Sequence, residues 1–181
     1  YYPAVVYGGT AAYRYASCKN ASLSSCLTAA SWTKQSVVAT GNLVAGDLQL
    51  DATVDSDQPK LVLKSAATTA TTYKMTGGSL QCDGAFGAFT AGAVLTTGTM
   101  ASQSINLMKT SNSRFHVVAN NGTVSMVYFN STTSDINGAW NAIGTIETAT
   151  LQAGKGTAVV NASTGQIYTT YGVSTGSFNL N

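Results

Sequence analysis

The stretch Phe115-His-Val-Val-Ala-Asn-Asn-Gly-Thr-Val-Ser-Met-Val-Tyr-Phe129 decides the fold class of this chain. β-branched and aromatic residues, which favour strands, stand on both sides of Asn121-Gly122. Asn-Gly is the dipeptide most typical of a type I′ turn between two antiparallel strands. The stretch therefore predicts a β-hairpin.

The same pattern continues in both directions along the chain. Thr157–Tyr168 predicts a second hairpin, turning around Ser163–Gly165. Helical periodicity is scarce, and only Ser22–Trp32 allows a short helix. Further strands are expected at Ala4–Tyr7, Gln35–Ala39, Leu43–Val54, Lys60–Lys64, Thr71–Thr76, Ala93–Thr99, Ser104–Lys109, Gly144–Leu151, and Gly172–Leu180.

Many short strands separated by turns predict an all-β fold, an antiparallel β-sandwich that is jelly-roll-like and carries an extended N-terminal strand. The length of 181 residues fits a single domain with a sizeable core. We expect that domain to span residues 10–181. Residues 1–9 would be the N-terminal strand and its joint.

The composition excludes several classes of function. Charged residues make up 9% of the chain, against about 25% in ordinary soluble proteins. The basic residues are scattered singly, whereas nucleic-acid binding needs a concentrated basic face. No apolar run approaches the ~20 residues of a membrane span. The start of the chain lacks the basic head and apolar centre of a signal peptide, and we interpret it as a mature N-terminus.

Cysteines and glycosylation motifs indicate a secreted or cell-surface protein. Cys18 and Cys26 are spaced too widely for the usual zinc pairs, so a disulfide between them is favoured. Pairing of either one with Cys82 stays open, as do three buried thiols. The candidate glycosylation sites are Asn20, Asn121, Asn130 and Asn161.

Catalytic and metal-binding patterns are weak. His116 is the one histidine, no Gly-x-Ser-x-Gly motif accompanies it, and a structural role is favoured. Asp51, Asp55 and Asp57 form a weak calcium candidate that an ordinary acidic turn explains better. We therefore expect a protein that is not an enzyme and needs no cofactor.

The N-terminal region is rich in tyrosine, and a free aromatic segment would be a liability in a monomer. An extended strand can complete the sheet of a neighbouring subunit through main-chain hydrogen bonds. We predict that Ala4, Val5, Val6 and Tyr7 form such a donor strand. Repeated head to tail, this contact gives a filament, so the partner would be another copy of the chain.

The segment Val38-Ala-Thr-Gly-Asn-Leu-Val-Ala-Gly-Asp-Leu-Gln-Leu50 resembles the Ala-Gly-x-Leu-x-Leu strand start of the camelysin-like biofilm matrix fibre proteins, to which archaeal bundling pili are related. The resemblance implies a secreted β-sandwich subunit that polymerises by N-terminal donor-strand exchange. The chain departs from that family in its cysteines and in lacking a downstream Pro-Gly-Asp segment.

The alternative function is a monomeric carbohydrate-binding adhesin or lectin-like module. Exposed aromatic rings stack on sugars, and the candidates are Trp32, Trp140, Tyr168 and Tyr171. Core packing is the competing interpretation of both tryptophans. Neighbouring filaments and surface glycans are further partners that either function would allow.

Overall fold

The computed structural model describes residues 4–8, 12–18, 26–38, 46–51, 58–78, 86–97, 105–121, 125–147, 151–173 and 178–180. These residues form fourteen β-strands and a 3-10 turn at Ala29–Ser31. The strands are β1 (Ala4–Gly8), β2 (Tyr13–Cys18), β3 (Trp32–Val38), β4 (Gly46–Asp51), β5 (Gln58–Ala66), β6 (Thr69–Gly78), β7 (Phe86–Thr96), β8 (Ile105–Lys109), β9 (Phe115–Asn121), β10 (Ser125–Ser131), β11 (Trp140–Glu147), β12 (Leu151–Val160), β13 (Ile167–Val173) and β14 (Phe178–Leu180).

The strands form four antiparallel sheets in chain order. Sheet A contains β1, β2 and β3, and sheet B contains β4 to β7. Sheet C contains β8 to β11, and sheet D contains β12, β13 and β14. Within every sheet, strands that are neighbours in space are also neighbours in the chain. Each sheet is therefore a meander, which needs only short connections between its strands.

The four sheets pack face to face in the order A, B, C, D. Between sheets A and B, Tyr13 packs against Leu61, Leu63 and Tyr73. The core between sheets B and C contains Val62, Ala70, Leu95, Ile105, Leu107, Phe115, Val117, Ala119, Phe129 and Ile136. The core between sheets C and D contains Met108, Val118, Met126, Ala158 and Tyr171.

Alternation along a strand explains how one strand serves two cores. In β5, Leu61 and Leu63 point to sheet A while Val62 points to sheet C, and all three are fully buried. In β9, Phe115 and Val117 likewise face sheet B while Val118 faces sheet D. A strand that is covered on both faces reads as a continuous apolar run. The fully buried side chains contribute roughly 1.5–3 kcal/mol each.

The first strands of successive sheets contact one another, β1 with β4, β4 with β8, and β8 with β12. The last strands β3, β7 and β11 also contact in series. Consecutive blades of a β-propeller are likewise meandering sheets that pack against one another in chain order. The same kind of sheet-to-sheet contact is thus repeated along this chain.

The all-β, antiparallel, sandwich-like fold predicted from the sequence is confirmed, and the structure adds that the layers number four. One local prediction was wrong. Ser31 ends a 3-10 turn and Trp32 begins β3, so the end of the expected helix is a turn and a strand. Tyr13 and Tyr15 lie in strand β2 and are buried.

An ion pair joins sheet B to the loop between β10 and β11. Lys74 Nζ lies 2.6 Å from Asp135 Oδ2, and the backbone N–H of Asn137 donates to Asp135 Oδ1 at 2.9 Å. Burial by itself would raise the pKa of Asp135, but these hydrogen bonds and the charges of Lys74 and Lys60 hold it below its usual value. The carboxylate is thus stabilised in its ionised form.

No helix in the described residues is long or apolar enough to cross a membrane.

Candidate functional site

The predicted donor residues lie in β1, which is the edge strand of sheet A. Ala4 to Gly8 pair with Ser17 to Tyr13 of β2 in the same chain. Val6 packs into the core between sheets A and B. Val5 and Tyr7 alternate with it and are 43% and 37% exposed, so they lie on the outer face of sheet A.

Sheet D carries a similar apolar pair on its outer face. Val159 and Tyr168 are directly opposite each other on β12 and β13, and they are 59% and 40% exposed. Their neighbours Ala158, Val160 and Ile167 pack inward against sheet C. A directly opposed pair forms one continuous apolar surface. Sheets B and C are covered on both faces by neighbouring sheets, whereas sheet A exposes Val5 and Tyr7 of β1, and sheet D exposes Val159 and Tyr168, on the outer face.

The disulfide predicted between Cys18 and Cys26 is present, with a Cα–Cα distance of 5.7 Å. It fastens the end of β2 to the segment that precedes β3. Trp32 Nε1 donates to the Cys26 carbonyl oxygen at 2.8 Å, so a second bond closes the same loop. Cys82 lies outside the described residues. A disulfide is typical of proteins that mature in an oxidising compartment.

The four glycosylation candidates differ in their surroundings. Asn161 is exposed at the turn between β12 and β13, where its Oδ1 accepts from the N–H groups of Ser163 and Thr164. Asn130 is partly buried within β10, and its Oδ1 is buried without a hydrogen-bond partner. Asn121 ends β9, and Asn20 lies outside the described residues. A glycan needs exposure, so Asn161 has the most suitable position.

Only one of the three aspartates of the calcium candidate lies within the described residues. Asp51 ends β4, while Asp55 and Asp57 lie outside the described residues. Within the described ranges, no group of three histidine, cysteine, aspartate or glutamate side chains is arranged to hold a metal ion.

A cavity of about 380 Å³ lies between sheets C and D. It is lined by Tyr128 and Ile146 from sheet C, and by Gly165, Ile167 and Thr169 from sheet D and the turn that leads into it. This volume falls within the range of ordinary small-molecule sites, about 300–1,000 Å³. The lining combines aliphatic side chains with two hydroxyl groups, those of Tyr128 and Thr169.

His116 fixes the tyrosine that lines this cavity. Its Nδ1 lies 2.7 Å from the Tyr128 hydroxyl, and the two rings are parallel within 3° at a centroid distance of 6.0 Å. Its Nε2 lies 3.2 Å from the Thr110 hydroxyl. Both ring nitrogens therefore have a hydroxyl partner, which sets the orientation of the imidazole.

The pair is neutral near pH 7. Burial, assisted by the charge of Arg114, lowers the pKa of His116 below its usual value. Burial raises the pKa of Tyr128, although a hydrogen bond with Asn130 opposes this. A neutral imidazole has one donor and one acceptor nitrogen, and a protonated phenol can serve either. The arrangement suits uncharged hydrogen bonding better than proton transfer.

Three asparagines on the same face of sheet C have buried amide atoms that make no hydrogen bond. Asn106 and Tyr128 stand on either side of Val118 in register, and Asn130 is directly opposite His116. The atoms concerned are Asn106 Nδ2, Asn130 Oδ1, and both amide atoms of Asn120, whose side chain is 0% exposed. Buried polar atoms without partners are uncommon and call for an explanation.

The four aromatic residues considered for sugar stacking differ in their surroundings. Tyr171 is in the core between sheets C and D. The indole N–H groups of Trp32 and Trp140 donate to the carbonyl oxygens of Cys26 and Ile136, both at 2.8 Å. Trp140 also lines a cleft of about 250 Å³ between β7 and β11. Of these four residues only Tyr168 is exposed, and its hydroxyl donates to Gln166 Oε1 at 2.9 Å.

The sequence matches no protein-family model and no curated protein.

Proposed function

We propose that the protein is a structural subunit of an extracellular filament, in which sheet D of one copy packs on sheet A of the next. The observation that carries the proposal is the unequal covering of the four sheets. Sheets B and C have neighbours on both faces, whereas sheets A and D expose Val5 and Tyr7, and Val159 and Tyr168, on their outer faces.

A second copy of the chain is a suitable partner for the outer faces of sheets A and D, because successive sheets within the chain already pack on one another through apolar side chains. Sheets A and B, B and C, and C and D each meet through aliphatic and aromatic side chains of successive meanders. A contact of D on A would add one more interface of the same kind. Covering the exposed part of each of the four side chains contributes roughly 1 kcal/mol.

A contact between two different faces is heterologous. It continues indefinitely as a filament unless its rotation happens to close a ring. The resemblance of Val38–Leu50 to camelysin-like fibre proteins favours the filament, and the Cys18–Cys26 disulfide favours an extracellular location. The exposed Asn161 would carry its glycan at the β12–β13 turn, beside the interface.

Insertion of the N-terminal strand stays a prediction within this proposal. In the single chain, Ala4 to Gly8 already pair with β2, so a donated strand would have to leave its own sheet. It could then form the same five residue pairs with β2 of a neighbour, as in a domain swap. Packing of sheet D on sheet A needs no such exchange, and it uses β1 through Val5 and Tyr7.

Charge substitution at one outer face tests the proposal. We expect Val159→Lys to stop assembly, because the charge of the lysine would be buried against Val5 and Tyr7. The matched control is Val94→Lys, which makes the same change at a strand position that is 62% exposed and belongs to neither outer face. Light scattering after size-exclusion chromatography, with negative-stain electron microscopy, measures the outcome.

The wild type and Val94→Lys should form filaments, while Val159→Lys should remain monomeric and folded. Filaments of Val159→Lys like those of the wild type would refute the interface. A wild type that stays monomeric at high concentration, or that forms only closed rings, would refute the filament.

A further inference from the structure

We propose that the cavity between sheets C and D binds a neutral carbohydrate, with Tyr128 as the residue that recognises its hydroxyl groups. This site is separate from the outer faces used for assembly. Three features lead to this ligand class: the lining of the cavity, the absence of charge among its described lining residues, and the fixed position of Tyr128.

The lining contains both the apolar and the polar groups that are needed to bind a sugar ring. A pyranose has apolar C–H faces and a rim of hydroxyl groups, and proteins bind it through aromatic or aliphatic contacts together with hydrogen bonds. Here Ile146 and Ile167 provide the aliphatic part, and the hydroxyl groups of Tyr128 and Thr169 provide the polar part. Gly165 leaves the mouth of the cavity without a side chain on that side.

Tyr128 is held in place before any ligand arrives. His116 accepts from or donates to its hydroxyl at 2.7 Å, and Thr110 holds the far nitrogen of that imidazole. Thr110 itself is fixed, because its hydroxyl lies 3.2 Å from the Arg114 carbonyl oxygen. A side chain that is already ordered loses little conformational entropy on binding, so its hydrogen bond adds more to the affinity.

The uncharged side chains at the cavity disfavour the binding of ionic ligands. Among the described residues that line the cavity, the phenol of Tyr128 is the one ionisable group, and the adjoining imidazole is neutral. A phosphate or carboxylate would leave water and meet no opposite charge among these described lining residues, which disfavours its binding. A neutral polyol avoids that cost.

Isothermal titration calorimetry of the full chain tests the site, with glucose, galactose, mannose and N-acetylglucosamine as separate probes and glucuronate as the charged comparison. We expect at least one neutral sugar to bind with millimolar or better affinity, and glucuronate to bind at least tenfold more weakly. Tyr128→Phe removes one hydroxyl and should weaken binding about tenfold. Tyr73→Phe is the matched control, because Tyr73 packs between sheets A and B, away from this cavity, and it should bind like the wild type.

A second variant keeps the test valid if Tyr128→Phe does not fold. Ile146 is 37% exposed at the cavity, so Ile146→Trp can fill the opening without repacking a core, and it should abolish binding. The proposal is overturned if none of the four neutral sugars binds, which leaves water as the occupant, or if Tyr128→Phe or Ile146→Trp binds as tightly as the wild type. It is also overturned if glucuronate binds equally well. Calorimetry detects binding to the monomer as well as to the assembled chain, so a failure to form filaments would not by itself overturn this site.

Discussion

Removal of the Cys18–Cys26 disulfide should lower the free energy of unfolding by about 2.5 kcal/mol. The bond joins residues that are eight positions apart in the chain. In the chain-entropy model, closing a loop of that length removes about 8 cal/mol/K of entropy from the unfolded state, which at room temperature is about 2.5 kcal/mol. For a chain of this size the melting temperature should fall by roughly 5–10 °C.

The double variant Cys18→Ala/Cys26→Ala measures this effect, and urea unfolding followed by circular dichroism is the assay. The folded state should change little, because the hydrogen bond from Trp32 Nε1 to the Cys26 carbonyl oxygen involves only the backbone of residue 26 and still closes the loop. Cys82→Ala is the control, since it removes a thiol and leaves the loop closed. The reasoning is refuted if the double variant unfolds at the same urea concentration as the wild type, or if Cys82→Ala costs as much.

Two further predictions concern the packing of sheet C and the ion pair on sheet B. Phe115 is 0% exposed in the core between sheets B and C, so Phe115→Ala should lower the free energy of unfolding in urea by about 3–5 kcal/mol. The control Val94→Ala, at an exposed position of β7, should lower it by less than about 1 kcal/mol. Equal losses in the two variants would contradict the layered packing. The pKa of Asp135 is lowered in the folded state, so its contribution to stability is present above the unfolded value near 3.8 and is lost as the pH falls through the folded pKa. Replacing Lys74 by Met should flatten the acid limb of the stability curve in that range, and an unchanged limb would show that the pair contributes nothing.

The fold class could be predicted from the sequence because its signal is local. Asn121-Gly122 and the β-branched runs around it specify antiparallel neighbours, and meanders place those neighbours side by side. The number of sheets could not be predicted in this way. Leu61, Val62 and Leu63 form one apolar run, and the run does not say which two sheets will cover its faces.

The pairing of His116 with Tyr128 shows why the site escaped prediction. A two-residue turn at Asn121-Gly122 would place Asn120 opposite Thr123, and His116 would then share a face with Val127 instead of Tyr128. In the structure Asn121 is opposite Ser125, so three residues connect the strands. The change in register moves Tyr128 to the face of His116, since alternate residues of a strand point to opposite sides. The hairpin could be predicted, but its register decides which side chains meet.

The same alternation in β13 allows the two proposals to be separated within one strand. Ile167 and Thr169 line the cavity, and Tyr168 between them lies on the outer face of sheet D. A substitution at Tyr168 therefore acts on the surface proposed for assembly, and one at Thr169 acts on the surface proposed for sugar. If sheet D shifts when a neighbour packs on it, the cavity beneath must change shape too, because a single sheet separates the two surfaces. Sugar affinity measured in the assembled state and in monomeric Val159→Lys would then differ, and by linkage sugar would change the assembly equilibrium by the same factor.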